Sequence, residues 1–206
     1  MWQSDYIEAN GIKLFYTRTG GNKPPMVLAH GITDLGLCWT AFAEVLAENY
    51  DVIMFDARGH GKSDTPESGY SWVDHAEDIN GVVRGLGLDK PIVMGHSMGA
   101  MSALTYAALY PDSPRAILLE DPAPQWVNPS PSSDSLAERR QGFLDRILAL
   151  RDKSRDELIE LQHQAEPGWS QKELEPWADA KRSVSTKVVN LLTPAENDVV
   201  DWASAI

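Results

Sequence analysis

Along the first 120 residues, short wholly apolar or strictly alternating runs take turns with segments whose apolar positions recur every three or four residues. The first kind of spacing predicts strands and the second predicts helices. At the amino end, residues 5–9 and 12–18 alternate polar and apolar side chains on either side of Asn10-Gly11, a type I′ turn signal, and so predict a β-hairpin. Residues 26–29, 51–55 and 116–120 are short runs of mainly Val, Ile, Leu, Met and Phe, the composition of strands buried on both faces of a parallel sheet. Residues 90–95 form another such run. Between them, residues 39–49 carry apolar side chains at Trp39, Phe42, Ala43, Leu46 and Ala47, which is helical spacing. Residues 72–86 read as a helix closed by Gly87, and a third helix runs from just after Ser97 to Tyr110-Pro111. The alternation predicts an α/β fold, a mostly parallel sheet with helices on both faces and its binding loops at the strand carboxyl ends. His30, Asp56, Ser97 and Asp121 all fall at such ends.

The pattern changes at a Pro-rich stretch from Asp121-Pro122 to Pro131. Beyond it no strand is predicted, and helix starts recur at Ser135…Glu138, Ser154…Glu157, Ser170…Glu173 and Thr193-Pro194…Glu196. They predict helices over 136–151, 155–165, 171–190, with a break near Ser183, and 194–204. The expected organisation is a sheet domain over residues 1–124 and a helical lid over 125–206.

Charge narrows the partners. A formal net charge of −12 argues against non-specific binding to nucleic acid or to an anionic membrane, and leaves neutral or modestly polar small molecules as the natural ligands. The single cysteine, Cys38, excludes an internal disulfide framework and reads as a small apolar residue, buried or half-buried. No charged-then-apolar leader is visible, and no apolar run approaches the roughly 18 residues of a membrane span, so a cytoplasmic protein is expected. The five histidines show no metal-ligand spacing, and no cofactor is expected.

The chemistry gathers at Gly95-His96-Ser97-Met98-Gly99, a Gly-x-Ser-x-Gly set across a strand-to-helix junction. In such an elbow the serine is driven to positive φ, at a cost of about 1–3 kcal/mol, and the two glycines let strand and helix backbones pass closely. Ser97 Oγ is then exposed at the strand's carboxyl end. The Met98 N–H lies at the amino end of a helix, where the dipole and unpaired N–H groups favour a developing negative charge.

With this elbow, the His30-Gly31 turn after the third strand, the Asp56…Arg58-Gly59-His60-Gly61…Ser63 loop after the fourth and a helical segment after the sixth, the chain resembles the α/β-hydrolase fold family. Within it the chain is most similar to small lidded carboxylesterases, lactonases and carbon–carbon bond hydrolases. A serine at the elbow disfavours the epoxide hydrolase and dehalogenase branches, whose nucleophile there is an aspartate. The resemblance implies that Ser97 is the nucleophile, that the N–H groups of Ile32 and Met98 form the oxyanion hole, and that His30, Gly31, Gly95, His96 and Gly99 support them. It also implies a small carboxylic ester or related acyl substrate, processed through an acyl-enzyme, and an architectural loop tied down by Arg58 and His60.

The family places its catalytic histidine after an eighth strand and the acid after a seventh, and neither pattern precedes Ile206, so the chain reads as truncated after the lid. Asp121, where some branches carry the acid, is the candidate; the other reading is a cap or turn residue before Pro122. His96 is expected to pack, His30 to make a structural hydrogen bond, His75 to be solvated and His163 to be exposed or capping. The alternative to an enzyme is an inactive hydrolase scaffold, or a protein binding a small apolar ligand between lid and sheet. Trp126, Trp169, Trp177 and Trp202 serve lid packing, or else line an apolar pocket. If the chain ends at Ile206, residues 116–120 form an open sheet edge and a homo-oligomer is expected.

Overall fold

The computed structural model describes residues 2–122 and 133–192. Six strands, β1 (Gln3–Ala9), β2 (Ile12–Arg18), β3 (Pro25–Ala29), β4 (Asp51–Phe55), β5 (Ile92–His96) and β6 (Ala116–Glu120), form one sheet in the order β1-β2-β4-β3-β5-β6. The hairpin forms with Asn10 and Gly11 at φ 49° and 76°, as a type I′ turn requires, and pairs Tyr6 with Phe15. β2 joins β4 antiparallel, and β4, β3, β5 and β6 run parallel. The expected α/β class, a mostly parallel sheet with helices on both faces, is what the chain adopts.

Alternate residues of each buried strand serve opposite faces. Val27, Ala29, Ile53, Phe55 and Val93 pack against α2 (Trp72–Gly85) and α3 (Met98–Leu109) through Ile79, Val82, Met101 and Leu104. Met26, Leu28, Val52 and Met54 face the other way and are covered by Ala43 and Leu46 of α1 (Thr40–Leu46), with Leu37 and Trp39 of the 3-10 turn Gly36–Trp39. The helix expected over 39–49 is therefore shorter, Thr40–Leu46, with the 3-10 turn immediately before it. β6 is exposed along most of its length.

The second helical group comprises α4 (Ser133–Arg151), α5 (Arg155–Ala165), α6 (Gln171–Ser183) and the 3-10 segment Thr186–Leu192. Capping boxes form at Ser154 with Glu157 and at Ser170 with Glu173, as their spacing predicts. Ser135 is not a cap, because α4 already begins at Ser133. α6 ends near Ser183, the expected break, where Val184 turns extended with ψ 131°. The helix expected over 194–204, the boundary at 124–125, and Trp126 and Trp202 lie outside the described residues. Ile147, Val184, Val188 and Val189 pack on Tyr70 and Ile32 and so seat the group on the sheet's carboxyl-end loops. Lys172 pairs with Glu44 at 2.8 Å, Lys187 pairs with Glu67 at 2.6 Å, and the Ser185 N–H donates to the Gly59 carbonyl at 2.8 Å. Among the described residues no helix is long and apolar enough to cross a membrane.

Candidate active site

Ser97 stands between β5 and α3 at φ 50° and ψ −109°, in the region that L residues rarely occupy. Its N–H donates to the Glu120 carbonyl at 2.9 Å, which anchors the strained residue to β6. The glycines on either side are there for space. A Cβ on Gly95 would collide with the Gly99 carbonyl, and one on Gly99 would collide with the carbonyl of Ala29 on β3. Strand, helix and neighbouring strand therefore approach more closely here than any side chain allows, and the loop turns so sharply that Ser97 is left half-buried rather than packed. Among the described residues Ser97 Oγ makes no hydrogen bond.

Opposite it runs the turn His30-Gly31-Ile32-Thr33-Asp34, and every carbonyl from Gly31 to Thr33 is held. Gly31 O accepts from the Asp34 N–H at 3.0 Å and from His30 Nδ1 at 2.8 Å. Ile32 O lies 2.8 Å from His60 Nε2, and Thr33 O accepts from Lys181 Nζ at 2.8 Å. His30 Nε2 takes the Ala57 N–H at 2.9 Å, so its ring is one defined neutral tautomer, Nδ1 donating and Nε2 accepting. Burial holds the His30 pKa below the usual imidazole value, which agrees with that geometry. For His60, burial and the neighbouring His30 push the pKa down to about 4, against the carbonyls of Ile32 and Arg58, which favour the charged form. No backbone acceptor among the described residues takes the N–H of Ile32 or of Met98. Both donors remain available at the loop edge where Ser97 sits.

The loop after β4 is architecture, as its composition predicts. Asp56 accepts the N–H groups of Gly36 at 2.8 Å and Lys62 at 2.9 Å, and buried Arg58 pairs with Asp78 of α2 while donating to the Gly69 carbonyl. Cys38 is half-buried, and burial pushes its thiol up to about 12, which leaves it unreactive.

Two expectations for histidines are corrected. His75 is buried rather than solvated, because α2 presents that face to the core, and its Nε2 has no partner among the described residues. His96 does not simply pack: its ring is 38% exposed, with Nδ1 3.9 Å from the Asp34 carboxylate. His163 is exposed, as expected. Asp121 is exposed at φ 45° just past β6, has no hydrogen-bond partner among the described residues, and is not brought against Ser97 by any contact described; Glu120 is exposed as well.

Two residues of the site were not anticipated, Asp34 and Lys181. Lys181 on α6 is 6% exposed, and its ammonium group donates to Thr33 O, to Thr33 Oγ1 at 3.0 Å and to Asp34 Oδ1 at 2.9 Å, with the Trp177 ring 4.9 Å away. The second helical group thus reaches the turn through one buried cation. Asp34 closes the turn and was open to notice, whereas nothing local marks Lys181, 147 residues away.

A mostly parallel sheet with a strained serine elbow at the tip of β5, beside the turn that follows β3, defines the α/β-hydrolase architecture. Residues 24–193 match the alpha/beta hydrolase fold family, and the chain belongs to it. Among curated relatives, 2-(acetamidomethylene)succinate hydrolase of Mesorhizobium japonicum is 40% identical over 107 residues, which is 52% of this chain and 38% of that protein. N-formylmaleamate deformylase of Pseudomonas putida is 37% identical over 117 residues, 56% of this chain and 44% of that one. Epoxide hydrolase 1 of Caenorhabditis elegans is 35% identical over 114 residues, 54% of this chain and 28% of that one. The chain therefore matches less than half the length of these relatives. In three dimensions it superposes on the crystal structure of E-2-(acetamidomethylene)succinate hydrolase with a TM-score of 0.75 at 24% identity, covering 100% of this chain and 76% of that one.

Proposed function

We propose that the chain is the catalytic part of a serine hydrolase that acts on a small carboxylic ester or related acyl substrate, with residues 125–206 as its lid. The observation that carries this reading is Ser97 at φ 50° on the amino end of α3, with its hydroxyl uncommitted and the Ile32 and Met98 N–H groups unpaired nearby. Ser97 Oγ attacks the substrate carbonyl. The tetrahedral oxyanion is held by the two N–H groups, each lowering the barrier by about 3 kcal/mol, the alcohol leaves, and water hydrolyses the acyl-enzyme. Relatives named for hydrolysis of a 2-(acetamidomethylene)succinate and for deformylation of N-formylmaleamate support an acyl substrate. The epoxide hydrolase relative supports the fold, while Ser97 at the elbow speaks against that chemistry.

A second reading has its own observation. None of the five histidines hydrogen-bonds Ser97: His30 and His60 are committed to backbone groups, His75 is buried in α2, His96 faces Asp34 and His163 is exposed. Without a base the serine is a weak nucleophile, and the scaffold is then a small-ligand binder. Intact mass before and after incubation with a fluorophosphonate separates the two. One adduct, absent in Ser97→Ala, is expected; an unmodified mass favours the binder.

A further inference from the structure

Between the second helical group and the His30–Asp34 turn lies a cavity of about 280 Å³, just below the roughly 300–1,000 Å³ typical of small-ligand pockets. Its sheet-side wall is Thr33, next to Ile32. Arg146 of α4, Gln162 of α5 and Trp177 and Lys181 of α6 surround it, and the four remaining lining residues are apolar. The chain carries 30 acidic against 18 basic residues, yet among the described residues two cations and no acidic side chain line this cavity.

The two cations differ in what they have left to give. The three ammonium protons of Lys181 are committed to Thr33 and Asp34, so it shapes the wall. Arg146 is exposed at the cavity's rim and has no ion-pair or hydrogen-bond partner among the described residues; the adjacent Asp145 is engaged by Gln141 at 2.7 Å. The Gln162 side-chain amide is equally uncommitted. A guanidinium fork presents paired donors matched to a planar carboxylate, and the apolar remainder of the lining suits a short hydrocarbon body.

We propose that this cavity binds a small organic carboxylate, its carboxylate group on Arg146 with Gln162 as a neutral second donor and its body against Trp177. That the bound carboxylate belongs to a substrate rests on the reading of Ser97 as nucleophile; the binding itself does not require catalysis.

The test is calorimetric titration of the 206-residue chain, in the Ser97→Ala background so that no turnover intrudes, with monomethyl glutarate and with dimethyl glutarate. Expected is at least tenfold tighter binding of the anion, lost in Arg146→Gln, partly kept in Arg146→Lys, and weakened by added salt. Arg146 is exposed, so its replacement leaves α4 folded, which circular dichroism checks. Equal affinity for the two esters, binding of neither, or a preference that survives in Arg146→Gln overturns the assignment. Displacement by sulfate as effective as by glutarate overturns the carboxylate in favour of a general anion site. Fluorophosphonate labelling of wild type distinguishes the two readings: charge-selective binding without an adduct removes the nucleophile and keeps the pocket, and an adduct without charge selectivity does the reverse.

Discussion

Gly99 is the residue whose replacement is most sharply constrained. Its missing Cβ is what lets α3 rest on the Ala29 carbonyl, and the atom in the way is backbone, which moves only with the sheet. Gly99→Ala should cost about 2 kcal/mol or more, seen as a lower urea midpoint at unchanged slope. An unaltered midpoint would show that helix and strand can part without loss. Gly31 is confined by side chains instead, a Cβ there meeting Asp34 Oδ2 at 2.8 Å and His96 Nδ1 at 2.9 Å. Lys181 acts on the same turn from the far side. Lys181→Met removes the donor to the Thr33 carbonyl, loosens the segment that carries the Ile32 N–H proposed for the oxyanion hole, and on that proposal should slow fluorophosphonate labelling by roughly ten- to a hundredfold. Labelling at the wild-type rate would show that His30 and His60 hold the turn unaided. Ser97, Gly95 and Gly99 were legible in the sequence because the elbow is a geometry of five consecutive residues. Lys181 was not, because a lysine on a polar helix is ordinarily solvated, and only the packing of α6 buries this one.

Among the elements, β6 is the least covered. Leu118 and Leu119, which point to opposite faces, are 46% and 36% exposed, and β5 occupies only one side of the strand. An open edge with apolar side chains on both faces is a template for pairing with another chain. If a second chain pairs with this edge, Leu118→Lys should reduce the concentration-dependent association measured by light scattering, with little change in melting temperature. No change in apparent mass would show that the edge is not a contact. β3, β4 and β5 were read correctly to within two residues because continuous apolar runs leave little else for them to be, whereas β6, placed at the expected residues, is not the buried strand its composition predicts, since among the described residues only β5 pairs with it. α1 starts within a residue of the expected helix but stops at Leu46 instead of Asn49, and the 3-10 turn before it, where Gly36 packs on β4, left no mark in the apolar spacing.

At the scale of the whole molecule, buried histidines tie stability to pH. His30 and His75 are pushed below the usual imidazole value chiefly by burial, so both are neutral when folded, while the unfolded chain binds protons near pH 6.5. Their contribution is complete above that pH and is lost as pH falls, approaching about 1.4 kcal/mol per pH unit for each. His75→Leu removes one titrating group and an unpartnered nitrogen at once. It should flatten the fall in urea midpoint between pH 7 and pH 5 by close to one proton, and a slope equal to wild type would place the titration elsewhere. Net charge also proves a poor guide to the local field. A formal charge of −12 favoured neutral ligands, yet among the described residues the cavity beside the turn is lined by Arg146 and Lys181 and by no acidic side chain, Asp34 being spent on Lys181 outside the lining, because charge summed over a chain says nothing of which side chains converge.

By itself, the sequence determined the order of strands and helices, the hairpin at Asn10-Gly11, the elbow at Ser97 and the loop tied by Arg58 and His60. Each depends on contacts a few residues apart, or on apolar runs with one stable place in a layered fold. The tertiary structure alone decided that His75 is buried, that His96 faces Asp34, that Lys181 holds the Thr33 carbonyl and that Arg146 stands uncommitted at a cavity rim. The first two depend on which face α2 turns to the core and on the loops that β3 and β5 bring side by side, and the last two on how α4 to α6 settle on the sheet, where Lys181 meets a residue 148 positions away.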